Sequence, residues 1–417
     1  MNFEGKRLLI LAGANVHMKL VEAARLMGVF TIVTDNVPGS PAKQIADKSY
    51  DIDIFDMDGL EKLCSEENID GIIADHIDPC QRPYNELCER LGLYCYGTKE
   101  QFFKMTDKHA FKEMCIENGV DVIPEYRENE IDNVIYPVFV KPVDSRGSRG
   151  QTVCYNLNQL KKAIVEAKKE SSNGDIIIEK YMKGAHEFQV TYFFVDGEPY
   201  LIRTCDSYCG SEEKKMDKVV ACAISPSRFT QSYLDKTHER IIKMIKSLGI
   251  KNGPVFMQGF EDNGVFRFFD PGLRFPGVDY ERIYKKVFGI DLMENMVSLA
   301  LSGRCSGNAL PTDGVWLKGK RAAILFPTVN AGKVFKVCGI NETKSLNGVV
   351  SVLPRCNEGD TIRWSYNVNQ RSAEIDCIAD DTESLKSLLK KIQNQYKVID
   401  CNGNDMTFES FNSDRIL

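Results

Sequence analysis

The chain has 417 residues, 43% of them hydrophobic, which is enough to fill more than one core, so two to four domains are expected. A net charge of −6 without a clustered basic stripe removes the electrostatic footprint of nucleic-acid binding and leaves small molecules as the expected partners. The 14 cysteines lie scattered with no CxxC pair, the closest being Cys205 and Cys209, and no apolar run reaches export or membrane-spanning length, so a reduced cytoplasmic protein is expected.

The first hundred residues alternate short apolar runs with helical patterns. Leu8-Leu9-Ile10-Leu11 is followed by a helix over 16–27, a strand over 29–33, a helix near 60–66 and the run Ile72-Ile73-Ala74. That alternation predicts a doubly wound parallel sheet over residues 1–103. Its first turn, Gly13-Ala14-Asn15-Val16-His17, lacks the spaced glycines of a dinucleotide site, and Asp35 matches a ribose acid by position only. The 13–17 loop is therefore expected to form a lip of a substrate pocket.

From residue 104 the texture changes. A helix capped at Thr106-Asp107 ends at Gly119, and the strand Val138-Phe139-Val140 runs into a glycine-rich loop. A strand near 151–155, a helix over 160–169 and the strand Ile176-Ile177-Ile178 come next. Two hairpins follow, one turning at Asp196-Gly197 and the other at Asp262-Asn263-Gly264. After Gly303 short strands alternate with one amphipathic helix that starts at Thr382 and aligns Leu385, Leu388, Leu389, Ile392 and Tyr396. This part, 304–417, is expected to be a small α+β domain.

Lys141 closes an apolar strand and is followed by Ser145-Arg146-Gly147-Ser148-Arg149-Gly150. Glycines let backbone amides approach phosphate oxygens, and a lysine on a rigid strand fixes a positive charge beside them. The loop is not of the GxxxxGK[ST] kind. Thr106-Asp107-Lys108, Tyr136-Pro137-Val138-Phe139-Val140-Lys141-Pro142, the glycine loop and Ile178-Glu179-Lys180-Tyr181-Met182 stand in an order that resembles the ATP-grasp superfamily, from about residue 5 to residue 303. The resemblance implies a Rossmann-like domain at 1–103, a two-subdomain ATP-grasp fold at 104–303 with its lid at about 120–182, and the small domain at 304–417.

The same resemblance implies site residues. Lys108 and Lys141 would contact the ATP phosphates, with Ser145, Gly147, Ser148 and Gly150 in a closing loop. Glu179, Lys180, Tyr181 and Met182 would form the strand that reads adenine, and Glu187 would hold the ribose. His186, next to it, would turn to the opposite face and be structural. Asp270 and Gln258 fall where the family holds magnesium through two carboxylates, and Gly272 where it carries an asparagine, so Asp270 with ATP oxygens is expected to hold one Mg2+. Arg274, in Pro271-Gly272-Leu273-Arg274-Phe275-Pro276-Gly277, matches the arginine near the transferred phosphate, and its planar fork suits that task.

The tail segments Gly348-Val349-Val350-Ser351-Val352 and Gly359-Asp360-Thr361-Ile362 resemble the closing domain of the amino-acid-ligase branch. The expected activity is thus ADP-forming ligation of a carboxylate to an amine through an acyl-phosphate, with Arg274 and Lys141 catalytic. Its partners would be small acids and amines, with no nucleic acid or membrane, and a homodimer is allowed. A bicarbonate-using carboxylase and a non-catalytic nucleotide-binding protein are the rival readings, the latter favoured by Gln258 and Gly272. Strand alternation adds one geometric expectation. The loop Asp262-Asn263-Gly264 is expected to have three residues with Gly264 left-handed and a bulge, which puts Gln258 and Asp270 on one face, diagonally across the hairpin.

Overall fold

The computed structural model describes residues 3–143, 150–307 and 309–417. Strands β1 (Arg7–Leu11), β2 (Phe30–Thr34), β3 (Lys48–Tyr50) and β4 (Gly71–Ile73) form a parallel sheet in the order β3-β2-β1-β4. β1 and β4 are buried along nearly their whole length, as parallel strands covered on both faces must be. Helix α1 (Met18–Leu26) follows the first turn. Because the order reverses at β1, the loops after β1 and β4 open a crevice at the carboxyl ends of these strands.

A second sheet contains β5 (Glu125–Tyr126), β6 (Val138–Pro142), β7 (Thr152–Cys154) and β8 (Ile176–Lys180) in the antiparallel order β5-β8-β6-β7. Helix α2 (Lys108–Glu117) precedes it, its first turn held by Asp107, whose side chain accepts from Ala110 N. Helix α3 (Leu157–Glu170) covers one face of the sheet, burying Leu160, Ala163 and Ala167 against Val138, Val140 and Ile178.

The third and largest sheet has eight strands. β9 (His186–Val195), β10 (Glu198–Cys209), β11 (Val220–Ser225), β12 (Gly253–Asp262), β13 (Val265–Gly272), β14 (Arg321–Leu325), β15 (Val349–Pro354) and β16 (Ala373–Ala379) lie in the order β13-β12-β9-β10-β11-β14-β16-β15. The sheet therefore crosses residue 304, and β11 pairs with β14 along four residues. Helix α4 (Tyr280–Phe288) follows β13, and α5 (Thr382–Gln395) buries Leu385, Leu388, Leu389 and Ile392 on the far part of the sheet, as the sequence pattern predicts. No helix among the described residues is long and apolar enough to cross a membrane.

The β12–β13 turn corrects one expectation. It has two residues, Asn263 (φ 53°) and Gly264 (φ 86°), between paired Asp262 and Val265. Two positive φ values make the primed turn that suits strand twist, and Asn-Gly is the sequence that favours it. Plain alternation would then send Asp270 to the wrong face. A bulge prevents this, since Gly259 pairs with Phe268 and Gln258 with Asp270, leaving Phe269 as the extra residue. A Cβ on Gly259 would stand 2.5 Å from Arg267 O, so the close approach at the bulge admits only glycine. Gln258 and Asp270 end directly opposite each other instead of diagonally.

Candidate active site

A cleft of about 960 Å³ is lined by residues from the four-stranded antiparallel sheet and from the eight-stranded sheet. It contains Lys108, Lys141, Glu179, Lys180, Tyr181, Met182, Glu187, Gln258 and Asp270 together. Ser145, Gly147 and Ser148 lie outside the described residues, while Gly150, with φ +66°, closes the loop where a Cβ would press on Pro142. A second groove, about 860 Å³ and lined by Gly348, Ile378 and Ser384 among others, holds none of the sequence-predicted site residues.

The register of the large sheet explains how the cleft floor is built. Side chains two apart on a strand share a face, and pairing lines them up in rows across strands. The first row is Ser207, Glu187 and Phe260, the second Cys205, Gln189, Gln258 and Asp270, the third Arg203, Thr191, Phe256 and Gly272. The polar groups of the first two rows are knitted together. Gln258 Nε2 donates to Glu187 Oε1 at 2.6 Å, and Gln189 Nε2 donates to Ser207 Oγ at 3.1 Å. Burial raises the Glu187 carboxyl above its ordinary range, while Ser207, Gln189 and Gln258 pull it back. The neutral amide at 258 thus has a local reason: a carboxylate there would face Glu187 at hydrogen-bond distance. Because its nitrogen is committed to Glu187, only its carbonyl oxygen remains for an ion.

Asp270 accepts no hydrogen bond among the described residues. Burial raises its carboxyl, opposed by Arg274, Lys108 and Lys141. A carboxylate open to the cleft and ringed by cations is prepared for a charged ligand, and its hard oxygens suit a magnesium ion shared with phosphates. Lys141 donates to Glu179 at 2.6 Å within a buried pair. The side chain of Glu179 therefore holds the lysine, and its strand end, residues 179–182, lines the cleft. Lys108 is pushed down by burial and then by Lys141, a cost that arriving phosphate would relieve.

Arg274 reaches across to the loop after β4. Nε and Nη2 both donate to the Asp78 carboxylate, the latter at 2.8 Å, and Nη1 donates to Phe275 O at 3.0 Å. Burial opposes its charge, but Asp78 and Asp270 more than offset this. Gly272 is explained by the same side chain, for a Cβ there would lie 2.9 Å from Arg274 Cγ and 3.1 Å from Nε. The asparagine expected at this position has been exchanged for the space Arg274 occupies.

Two expectations about neighbours fare differently. His186 does pack on the opposite face, against Tyr208 and Phe229 with ring centroids 5.4 Å away, although it borders one end of the cleft. The 13–17 loop is held inward: His17 is fully buried, its Nε2 3.1 Å from Asp75 O, and Asp35 fastens the loop by accepting from Gly13 N at 2.6 Å, while Ala14 and Asn15 stay partly exposed. Arg415 and Lys218 line the cleft, and Arg371 lies deep nearby, donating to Val220 O at 2.7 Å with its guanidinium 3.9 Å from the Phe326 ring. Burial and then Arg355 bring Arg371 down to about 10. None of the three sits in a motif, and their partners are distant in sequence.

Residues 107–305 match the family described as the carbamoyl-phosphate synthase L chain, ATP binding domain. The formate-dependent phosphoribosylglycinamide formyltransferase of Sulfurisphaera tokodaii is 24% identical over 263 residues, which cover 59% of this chain and 65% of that protein. The L-amino acid ligase of Bacillus licheniformis superposes with a TM-score of 0.76 at 18% identity, covering 95% of this chain and 99% of that one. The biotin carboxylase domain of the 2-oxoglutarate carboxylase of Hydrogenobacter thermophilus, a dimer in complex with MgADP and bicarbonate, gives 0.76 at 18% identity, over 94% of this chain and 90% of that one. The chain has the ATP-grasp fold of these solved structures, and its residues 107–305 are similar to the carbamoyl-phosphate synthase L chain ATP-binding domain.

Proposed function

We propose that the protein is an ATP-dependent, ADP-forming ligase that joins a carboxylate to an amine through an acyl-phosphate. One observation carries the reading: Glu187, Gln258 and Asp270 share one sheet face in the same cleft as Lys108, Lys141 and the strand end 179–182. At about 960 Å³ this cleft has the volume for a nucleotide, which would run from the strand end, past Glu187, to the row of Gln258 and Asp270. The curated relative is named for formate dependence and a solved neighbour for L-amino acid ligation, which agrees with a carboxyl group as the reacting partner.

In this reading the acid's oxygen attacks the γ-phosphorus, the bond to ADP breaks, and the amine nitrogen then attacks the acyl carbon as phosphate leaves. Catalysis is mainly positioning and charge neutralisation. Lys108 and Lys141 hold phosphate oxygens, and Arg274, fixed by Asp78, faces the moving charge. Asp270 would hold Mg2+ with Gln258 Oε1, and the ion would supply further neutralisation of the phosphates. A homodimer is the assembly we expect, checked by sedimentation.

The test is ADP release from ATP and Mg2+ across a panel of carboxylic acids, with hydroxylamine as the trapping nucleophile and then with amines. Acid-dependent ADP release with hydroxamate formation supports the ligase. Turnover requiring bicarbonate and no organic acid would point to carboxylation, and nucleotide binding without any turnover to a non-catalytic protein.

A further inference from the structure

Arg203 is 1% exposed, yet no carboxylate lies within ion-pair distance of it among the described residues. Its Nη1 makes a long 3.5 Å hydrogen bond to Gln189 Oε1, its Nε has no partner, and the Tyr280 ring lies 5.0 Å from its guanidinium carbon. Thr191, its register partner on β9, is likewise buried with an unpaired hydroxyl. Arg274, also buried, is paired with Asp78, and the half-buried Arg355 with Glu374. A guanidinium taken out of water without a counter-charge is a strong penalty on the free protein, and one that a bound anion would remove.

Its place says which anion. The third row stands one two-residue step, about 6.8 Å, beyond the row of Gln258 and Asp270 and on the side away from the strand end 179–182. Whatever lies past the γ-phosphate of a nucleotide bound as above meets this row, with Arg203 at one end and Arg274 folded over Gly272 at the other. Arg274 is already engaged by Asp78, whereas Arg203 has only the long bond to Gln189 and an unpaired Nε.

We propose that Arg203, assisted by the Thr191 hydroxyl, holds an anionic group on one of the two organic substrates, in addition to the group that reacts. The substrate class is thereby narrowed to an acid with a second carboxylate or a phosphate, or to an amine bearing such an anion. This inference rests on the ligase reading. Planar, two-pronged recognition of a carboxylate or phosphate is what a guanidinium provides and an ammonium does not.

The experiment compares wild type, Arg203→Met and Arg203→Lys by thermal unfolding with saturating MgADP, then with succinate or inorganic phosphate added. The expected result is that Arg203→Met melts ~2 °C or more above wild type without anion, because an unpaired buried cation is gone, and no longer gains from the anion, while Arg203→Lys gains less than wild type. An Arg203→Met protein that melts well below wild type without anion, or one with an undiminished anion-induced shift, would overturn the proposal. If MgADP itself fails to shift wild type, the ligase reading fails, separately from Arg203. In the hydroxylamine assay a ten- to hundredfold rise in KM for the acid assigns the anion to the acid; a rise seen only with the amine assigns it to the amine. An unchanged KM for both overturns the proposal.

Discussion

Replacing Gln258 by glutamate probes the electrostatics of the cleft floor directly. In the protein Gln258 Nε2 lies 2.6 Å from Glu187 Oε1 and its backbone pairs with Asp270. Gln258→Glu turns the donor into a second carboxylate. Two unit charges about 4 Å apart repel by ~4 kcal/mol at an effective dielectric of 20. Protonating one of them at pH 7, from an ordinary glutamate value, costs ~3.7 kcal/mol, and the neutral carboxyl can then donate to its neighbour, returning ~1–2 kcal/mol. The expected loss is thus ~2 kcal/mol at pH 7.

The sign of its pH dependence follows. The pair holds a proton in the folded state that the unfolded chain releases above its ordinary glutamate value, so stability is full at about pH 4 and falls as pH rises towards 8. Added Mg2+ should recover much of the loss, since two carboxylates hold a hard cation better than one and an amide. Urea unfolding at pH 5 and pH 8, with EDTA or Mg2+, measures both effects. A variant whose stability follows wild type across that range and ignores Mg2+ would show that positions 187 and 258 do not face each other.

Lys141→Met leaves Glu179 buried without its cation and should cost ~3–5 kcal/mol, with most of that recovered in Lys141→Met/Glu179→Gln; equal losses in urea unfolding would contradict the buried pair. In calorimetry the single variant should also bind ATP at least tenfold more weakly. Asp270→Asn is expected to abolish Mg2+-dependent ADP release while leaving the fold intact by circular dichroism, and full activity would favour the non-catalytic reading. Gly272→Asn should push Arg274 off Asp78, because its Cβ would stand 2.9 Å from Arg274 Cγ, and lower turnover at least tenfold; unchanged turnover would mean the arginine has no part in the chemistry. Gly264→Ala, at φ +86°, should cost ~1 kcal/mol in the same unfolding assay, and a neutral result would exclude the primed turn.

Much of this arrangement was legible in the chain because it depends on short-range chemistry. The apolar runs of β1 and β4, the Asp107 cap and the place of the second hairpin's turn are written in neighbouring residues, and so is the position of Lys141 at a strand end. The register within the hairpin was not. Its loop is one residue shorter than expected, and the bulge at Phe269 restores the face of Asp270 through a backbone approach at Gly259 that only the folded pair reveals. Gly272 looked like a missing asparagine, whereas its meaning lies in the Arg274 side chain two residues on. Arg203, Arg371 and Arg415 carry no local signal at all, since the groups they meet come from strands and loops far along the chain.

The uninterrupted hydrogen bonding from β13 to β15 makes the residues after 304 the continuation of the cleft's own floor. A chain cut there would bare the outer rim of β11, a row of unpaired amides and carbonyls beside Cys222 and Ile224, which are now fully covered. Such a fragment should gather into aggregates instead of surviving as a minimal nucleotide-binding unit. The continuous sheet ties the floor and the tail into one slab, so a motion that opened the cleft is expected to be carried by the small antiparallel sheet bearing Lys141.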